Sequence, residues 1–444
     1  MTITTVTYRR IWQVAIPIII GLVAQNLMVV IDTAFLGRLG EVTLGAAAIG
    51  GIYYLTFVML GTGFTVGTQI MIGRRNGERR FRVIGRIFDH AVYMMILIGL
   101  LVFIVISLTA PHFLQWFLSS DAVLQESLTF LSYRKYGIFF GFLILCFNAL
   151  YIGTTRTKIL SVSTFIMATT NILLDYTLIF GNFGFPAMGI AGAAIATNIA
   201  EVVTFLFLLG WSMKNNSIRY YRMFKFWKPH LRLFKPLFKL AYPVMIQYFL
   251  AFSAWFAFFL IIEQIGETAL AASNITRSIY MLLMIPVWGL GSATKTLVSN
   301  TIGEGKNDEV IPLIKKILLL GFTANLVVVI PTASAPAFLI SFFTDEPLLT
   351  DATVPLLYVI SIAMVAFSFG IILFSGLSGT GKTLLALRIE VITIGLYLVT
   401  ATLATMAVDT SAAYVWSAEI VYFGAMGLLA WFYLKKGSWR TLQV

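Results

Sequence analysis

WQVAIPIIIGLVAQNLMVVIDTAFLGRLGE (residues 12–41) and FKLAYPVMIQYFLAFSAWFAFFLIIEQIGE (residues 238–267) are two versions of one stretch, related by a shift of 226 residues. Pro17 falls on Pro243, and Gly40-Glu41 falls on Gly266-Glu267. The register runs without a gap to residues 80 and 306: Tyr54 meets Tyr280, Gly63 meets Gly289, and Gly77-Glu78 meets Gly303-Glu304. Further on, small shifts set Lys158 against Lys382 and Glu201 against Glu419. Chance similarity between apolar sequences accounts for matched Leu and Val, but not for gapless Pro, Gly and Glu coincidences. The chain reads as a duplication.

Each copy is apolar over lengths that matter to a bilayer. Apolar residues make up 59% of the 444 and charged residues 11%, and mean hydropathy is +0.90. A soluble domain carries about a quarter of its residues as charges, so lipid is the expected solvent. A spanning helix needs about 20 mostly apolar residues. Twelve such stretches occur near 11–37, 44–72, 86–110, 127–152, 159–180, 188–213, 238–262, 268–299, 311–340, 353–378, 384–407 and 411–434. The runs are continuous, whereas strands of a membrane barrel alternate over segments of about ten residues. The expected fold is an all-α integral membrane protein of twelve helices in two six-helix lobes. Six is even, so both lobes enter the membrane in the same direction as parallel repeats. The boundaries expected are 1–213 for the first lobe, 214–237 for a basic linker and 238–444 for the second.

Charge sets the orientation. The even-numbered gaps and the two termini hold 26 of the 31 Lys and Arg, eight of them in Lys214–Lys239, which contains no acid. Acids such as Asp121, Asp345, Glu346 and Asp351 sit in the odd-numbered gaps. The positive-inside rule then places both termini in the cytoplasm of a multi-pass protein of the cell inner membrane. The net charge of +12 is a topology signal that touches anionic lipid, and no nucleic-acid partner is expected. The first stretch follows Arg9 and Arg10 without a small-residue cleavage site, so a retained helix is expected. Cys146 is the single cysteine, and His90, His112 and His230 are far apart, which gives neither a disulfide nor a zinc-ligand pattern.

Several polar residues stand in the wrong solvent. A carboxylate at mid-bilayer costs at least about 2.5–3.5 kcal/mol, so an intramembrane acid is a functional candidate. Asp32 and Asp175 each lie about five residues before the outer end of an outward-running helix, which at 1.5 Å per residue puts both roughly 8 Å below that edge. Thr197, on the inward-running sixth helix, reaches a similar depth. Asn171 precedes Asp175 by four residues, Gln25 precedes Asp32 by seven and Glu201 follows Thr197 by four, so each pair shares a helix face. Two carboxylates, an amide and a hydroxyl thus converge. Hard oxygen ligands suit sodium, and two close carboxylates equally suit a shared proton. The competing reading is a polar cluster that only holds helices together. The second half lacks the set: Phe258 stands opposite Asp32, Ala251 opposite Gln25, and Val399 near the place of Asp175.

Residues 376–383, GLSGTGKT, match the phosphate-binding loop pattern in full. That loop needs a strand before it, and a lone strand cannot stand in a membrane. A turn between two spanning helices is expected, with no nucleotide chemistry.

"VVIDTAFLGRLG" at 29–40 with Pro17 upstream, "NILLD" at 171–175 and "GIAGAAIATNIAE" at 189–201 resemble the multidrug and toxic compound extrusion (MATE) family, most of all its DinF branch. The resemblance covers essentially the whole chain. It implies two six-helix lobes around a V-shaped cavity, and export of organic compounds driven by sodium or protons. Asp32, Asn171, Asp175 and Thr197 fall on the family's cation-site positions, with Gln25 on a neighbouring polar one. The acid that another branch carries in the seventh helix is absent, since Ala251 stands there.

The resulting expectation is a cation-coupled antiporter, not an enzyme, that exports amphipathic organic compounds. Asp32, Asn171, Asp175 and Thr197 bind the cation, Gln25 and Glu201 are candidates for a relay, and Pro17 is a place to bend. No cofactor is expected beyond sodium or proton, and the chain is expected to act as a monomer in lipid. The alternative is a lipid-linked saccharide flippase of the same superfamily, which would show a line of cations inside the lobes. Only Arg277 and Lys295 stand out as such. A membrane-embedded enzyme or a channel has less support.

Overall fold

The computed structural model describes residues 6–118, 120–215, 217–225, 231–406 and 411–440. Lys228 and His230 of the basic region fall outside these, as does part of the 214–237 linker. Among the described residues the only regular structure is helical, and twelve helices are long and apolar enough to cross a membrane. They are α1 (Tyr8–Gly37), α2 (Glu41–Gly77), α3 (Phe81–Phe117), α4 (Asp121–Gly153), α5 (Lys158–Leu178), α6 (Gly189–Lys214), α7 (Leu233–Glu263), α8 (Glu267–Gly303), α9 (Asn307–Ser334), α10 (Pro347–Gly379), α11 (Thr383–Thr405) and α12 (Ala412–Lys436).

Helices form here because a chain in lipid must satisfy its own backbone hydrogen bonds. The turns are written in residues that cannot continue a helix. Gly40 (φ 118°) and Gly266 (φ 138°) occupy repeat-related positions before α2 and α8, in a backbone region open to glycine. The α9 span expected to reach residue 340 ends at Ser334. Pro336, which lacks an N–H, opens a separate short helix, Pro336–Ile340, instead. GLSGTGKT lies where α10 ends and α11 begins, and no strand precedes it.

The chain divides into two compact units, residues 20–245 and residues 1–19 with 246–444. The division does not fall in the linker. It cuts α1 two residues after Pro17 and α7 two residues after Pro243, at repeat-equivalent points. Pro17 and Pro243 each lie inside a helix and each removes one backbone hydrogen bond. The start of the linker docks on the first unit: Tyr221 is buried, and the Asp89 carboxylate of α3 accepts backbone N–H groups of Phe224 at 2.8 Å and Lys225 at 3.2 Å. In the second unit α10 packs against α8, α9 and α12.

Candidate cation site in the first unit

Asn171 and Asp175 are one turn apart on α5 and both are fully buried. The Asp175 carboxyl meets that of Asp32, brought in by the second half of α1, and it adjoins the Asn171 side chain. Asn171 Nδ2 donates to Thr197 Oγ1 of α6 at 3.3 Å, and Thr197 donates its own proton to the Ala193 carbonyl at 3.0 Å. The Asn171 amide hydrogen is thereby turned to α6. Among the described residues no N–H or O–H is aimed well enough at the buried Asp32 Oδ1, Asn171 Oδ1 or Asp175 carboxyl oxygens to satisfy them, and the acceptors face one another, the two carboxyls close enough to share a proton. Buried oxygens in native proteins are nearly always paired. Four unpaired acceptors in one place fit a cation whose charge and ligand demand they would meet together.

An apolar layer seals the set on the side of the odd-numbered turns. Leu36, Ile179 and Ala193 belong to one buried cluster with Ala46 and Ile190. Leu36 lies one turn beyond Asp32, Ile179 one turn beyond Asp175, and Ala193 one turn before Thr197, so each polar residue has an apolar neighbour stacked over it. Phe35 and Phe180 extend the layer, with ring centroids 5.7 Å apart.

The structure places the remaining residues differently. Gln25 is on α1 but exposed, and the described contacts do not bring it into the cluster. Glu201 is buried in an ion pair with Arg134 of α4: Nη2 donates to Oε1 at 2.5 Å and Nη1 to Oε2 at 3.0 Å. Arg134 Nη1 also donates to Asn198 Oδ1 at 2.7 Å, and the guanidinium lies over the Tyr54 ring, 4.4 Å from its centroid. The field of Arg134 reaches Asp32. Arg134 stands just before a tight 3₁₀ turn, Lys135–Gly137, that interrupts α4. Any side chain at Gly137 would collide with Arg134, Asn198 and Glu201. The pair therefore fits because residue 137 has no Cβ.

A MatE family model matches the chain twice, over residues 17–177 and 243–403. The chain belongs to the MatE family. Its two matches lie 226 residues apart, the shift that aligned the repeats. The MatE chain is 27% identical over 359 residues to a probable multidrug resistance protein NorM of Agrobacterium fabrum, covering 80% of this chain and 77% of that one. Its fold is also that of a solved MOP superfamily transporter from Pyrococcus furiosus, with a TM-score of 0.90 at 18% identity, over 97% of this chain and 95% of the other. A solved outward-facing multidrug resistance MATE family transporter matches equally, with a TM-score of 0.90 at 18% identity, over 98% and 97%. The protein is a membrane transporter and not an enzyme.

Two charged residues of this MatE protein escaped the sequence reading. Arg134 adds a buried cation to the two identified inside the lobes, although its guanidinium is committed to Glu201 and Asn198. Glu390 is buried in α11, where its Oε1 accepts the Tyr422 hydroxyl at 2.5 Å. Both fall in the first two turns of an expected span (127–152, 384–407) beside another basic residue (Lys135, Arg388), a pattern that reads as a helix end near water.

Proposed function

We propose that this MatE protein is a multidrug antiporter of the cell inner membrane that exports amphipathic organic molecules, cationic or aromatic, in exchange for sodium or a proton held by Asp32, Asn171, Asp175 and Thr197. The carrying observation is the set of four buried, unpartnered oxygens in the first unit. Hard oxygens of this kind ligate sodium, and two facing carboxylates can instead hold one shared proton. The NorM relatives, named for multidrug resistance, support the organic cargo. Ala251 in place of an acid in α7 supports DinF-like character, with coupling confined to the first unit. One charge crossing 100 mV gains about 2.3 kcal/mol. One univalent cation exchanged for a neutral molecule thus sustains roughly a fifty-fold gradient, and no nucleotide is needed. The basic even-numbered gaps support cytoplasmic termini, and one chain holds every ligand of the site, so a monomer suffices.

The test is a proteoliposome assay of ethidium efflux with sodium and pH gradients imposed separately. One gradient should drive uphill efflux, and collapsing it should abolish that flux. Efflux indifferent to both gradients would refute the antiporter.

A further inference from the structure

The repeat sets up a controlled comparison around one carboxylate. Glu201 in the first unit and Glu419 in the second are repeat-related, and so are the tyrosines beside them, Tyr54 and Tyr280. Between Tyr54 and Glu201 lies the Arg134 guanidinium. Helices α4 (Asp121–Gly153) and α10 (Pro347–Gly379) begin and end 226 residues apart, which sets Ile360, fully buried, at the place of Arg134. Nothing cationic replaces the arginine: Glu419 Oε2 accepts the Tyr280 hydroxyl of α8 at 3.2 Å, and Oε1 accepts the Tyr397 hydroxyl of α11 at 2.9 Å. Among the described residues no guanidinium or ammonium pairs with Glu419. The Arg277 guanidinium lies over the Phe259 ring, at 5.2 Å, and Lys295 acts on Glu390. Tyr422 of α12 and Glu390 of α11 complete the titratable groups facing this place. The α10 neighbour is Phe367, whose ring meets that of Tyr280 at 6.4 Å, and α7 contributes Phe258, stacked on Tyr397 at 5.1 Å.

A carboxylate buried in such surroundings without a countercharge neutralises itself or takes a cation. The rings of Phe258, Phe367 and Tyr422 pack on the two tyrosines, and both Glu419 oxygens already accept a tyrosine hydroxyl, which suits a proton and not a ligated metal. A second feature points outward from it. The Thr276 hydroxyl, fully buried, has no hydrogen-bond partner among the described residues. It lies on α8 one turn from Tyr280, on the same face. One further turn along, Ala272 lines a cavity of about 390 Å³ with Gly266, Glu267, Pro355, Leu356 and Ala412. This cavity opens at the odd-numbered turns, the face opposite the termini. Ala272, Thr276 and Tyr280 thus share one face of α8, which runs from the cavity lining to the hydroxyl bonded to Glu419.

We propose that Glu419 is a proton-binding site of the second unit, loaded from the cavity at the α7–α8 and α11–α12 turns by way of Thr276 and Tyr280. It is separate from the cation set at Asp32 and Asp175 and does not depend on which ion binds there. Tyr397 holds the carboxyl by donating to Oε1, while Tyr280 gives its hydroxyl proton to Oε2 as it accepts another from the side of Thr276. The Tyr397 and Tyr422 rings, 5.2 Å apart, lie between Glu419 and the Tyr422-bound Glu390.

The test is infrared difference spectroscopy of the purified full-length protein across a pH titration, in water and in deuterium oxide. A protonated-carboxyl band should appear on acidification, shift in deuterium oxide and vanish in Glu419→Gln. The same band should survive in Asp32→Asn/Asp175→Asn, which separates this site from the coupling site. Tyr397→Phe should move the band to higher frequency by removing one donor, and Thr276→Val should slow its deuterium exchange several-fold. These last two variants stand if Glu419→Gln fails to fold. A titrating band unchanged by Glu419→Gln, or a band in Tyr397→Phe at the wild-type frequency, would overturn the assignment. So would a Glu419 signal insensitive to both pH and deuterium.

Discussion

The two units start from one sequence plan and solve the problem of buried charge in opposite ways. In the first, Glu201 is held by a bidentate arginine, and the unpartnered oxygens belong to Asp32, Asn171 and Asp175 under a closed apolar layer. In the second, Phe258 stands at the place of Asp32 and Ile360 at that of Arg134, while among the described residues Glu419 is bonded by tyrosine hydroxyls alone. One unit thus gathers buried acceptors without donors, and the other surrounds its carboxylate with aromatic rings. Duplication supplied the scaffold twice, and a few substitutions at equivalent positions divided the electrostatic work between the copies.

The comparison can be broken most severely at the carboxylate pair. Asp32→Asn and Asp175→Asn should each abolish gradient-driven ethidium efflux while the protein still inserts. The double variant should be no worse than either, because residues acting as a unit are non-additive. Near-normal efflux by both single variants would make the cluster structural. A large but different effect is expected at the ion pair. Arg134→Met leaves Glu201 buried without its partner, which should cost about 3–5 kcal/mol of stability. Adding Glu201→Gln should restore most of it, as read by thermal unfolding in detergent, and an uncorrected double variant would show that Arg134 is needed for more than Glu201. Gly137→Ala should be milder, about 1–3 kcal/mol, since the new methyl group displaces the pair without removing either charge. Unchanged stability there would mean the 3₁₀ turn yields freely.

Much of this was legible in the sequence because helix rise is fixed. Depth arithmetic along straight spans brought Asp32, Asn171, Asp175 and Thr197 to one level, and the structure gathers those four. Arg134 was not legible, since its link to Glu201 crosses 67 positions and depends on how α4 packs against α6. Glu390 was hidden by Arg388, two residues away, which gave the start of α11 the look of a solvated turn. The division inside α1 and α7 leaves no mark in hydropathy, because the apolar runs continue unbroken past Pro17 and Pro243. Only the prolines themselves, repeated at equivalent positions, hinted that those helices have two parts.

Whether the first unit holds a cation can be read from a count of coupling ions bound by purified protein, by radioactive sodium binding in parallel with proton uptake reported by an indicator dye. The wild type and Asp32→Asn/Asp175→Asn would be compared at saturating ion. The variant should bind one coupling ion fewer than the wild type and keep the Glu419 proton. An unchanged count would contradict this, because the four unpartnered oxygens of the first unit would then hold no cation.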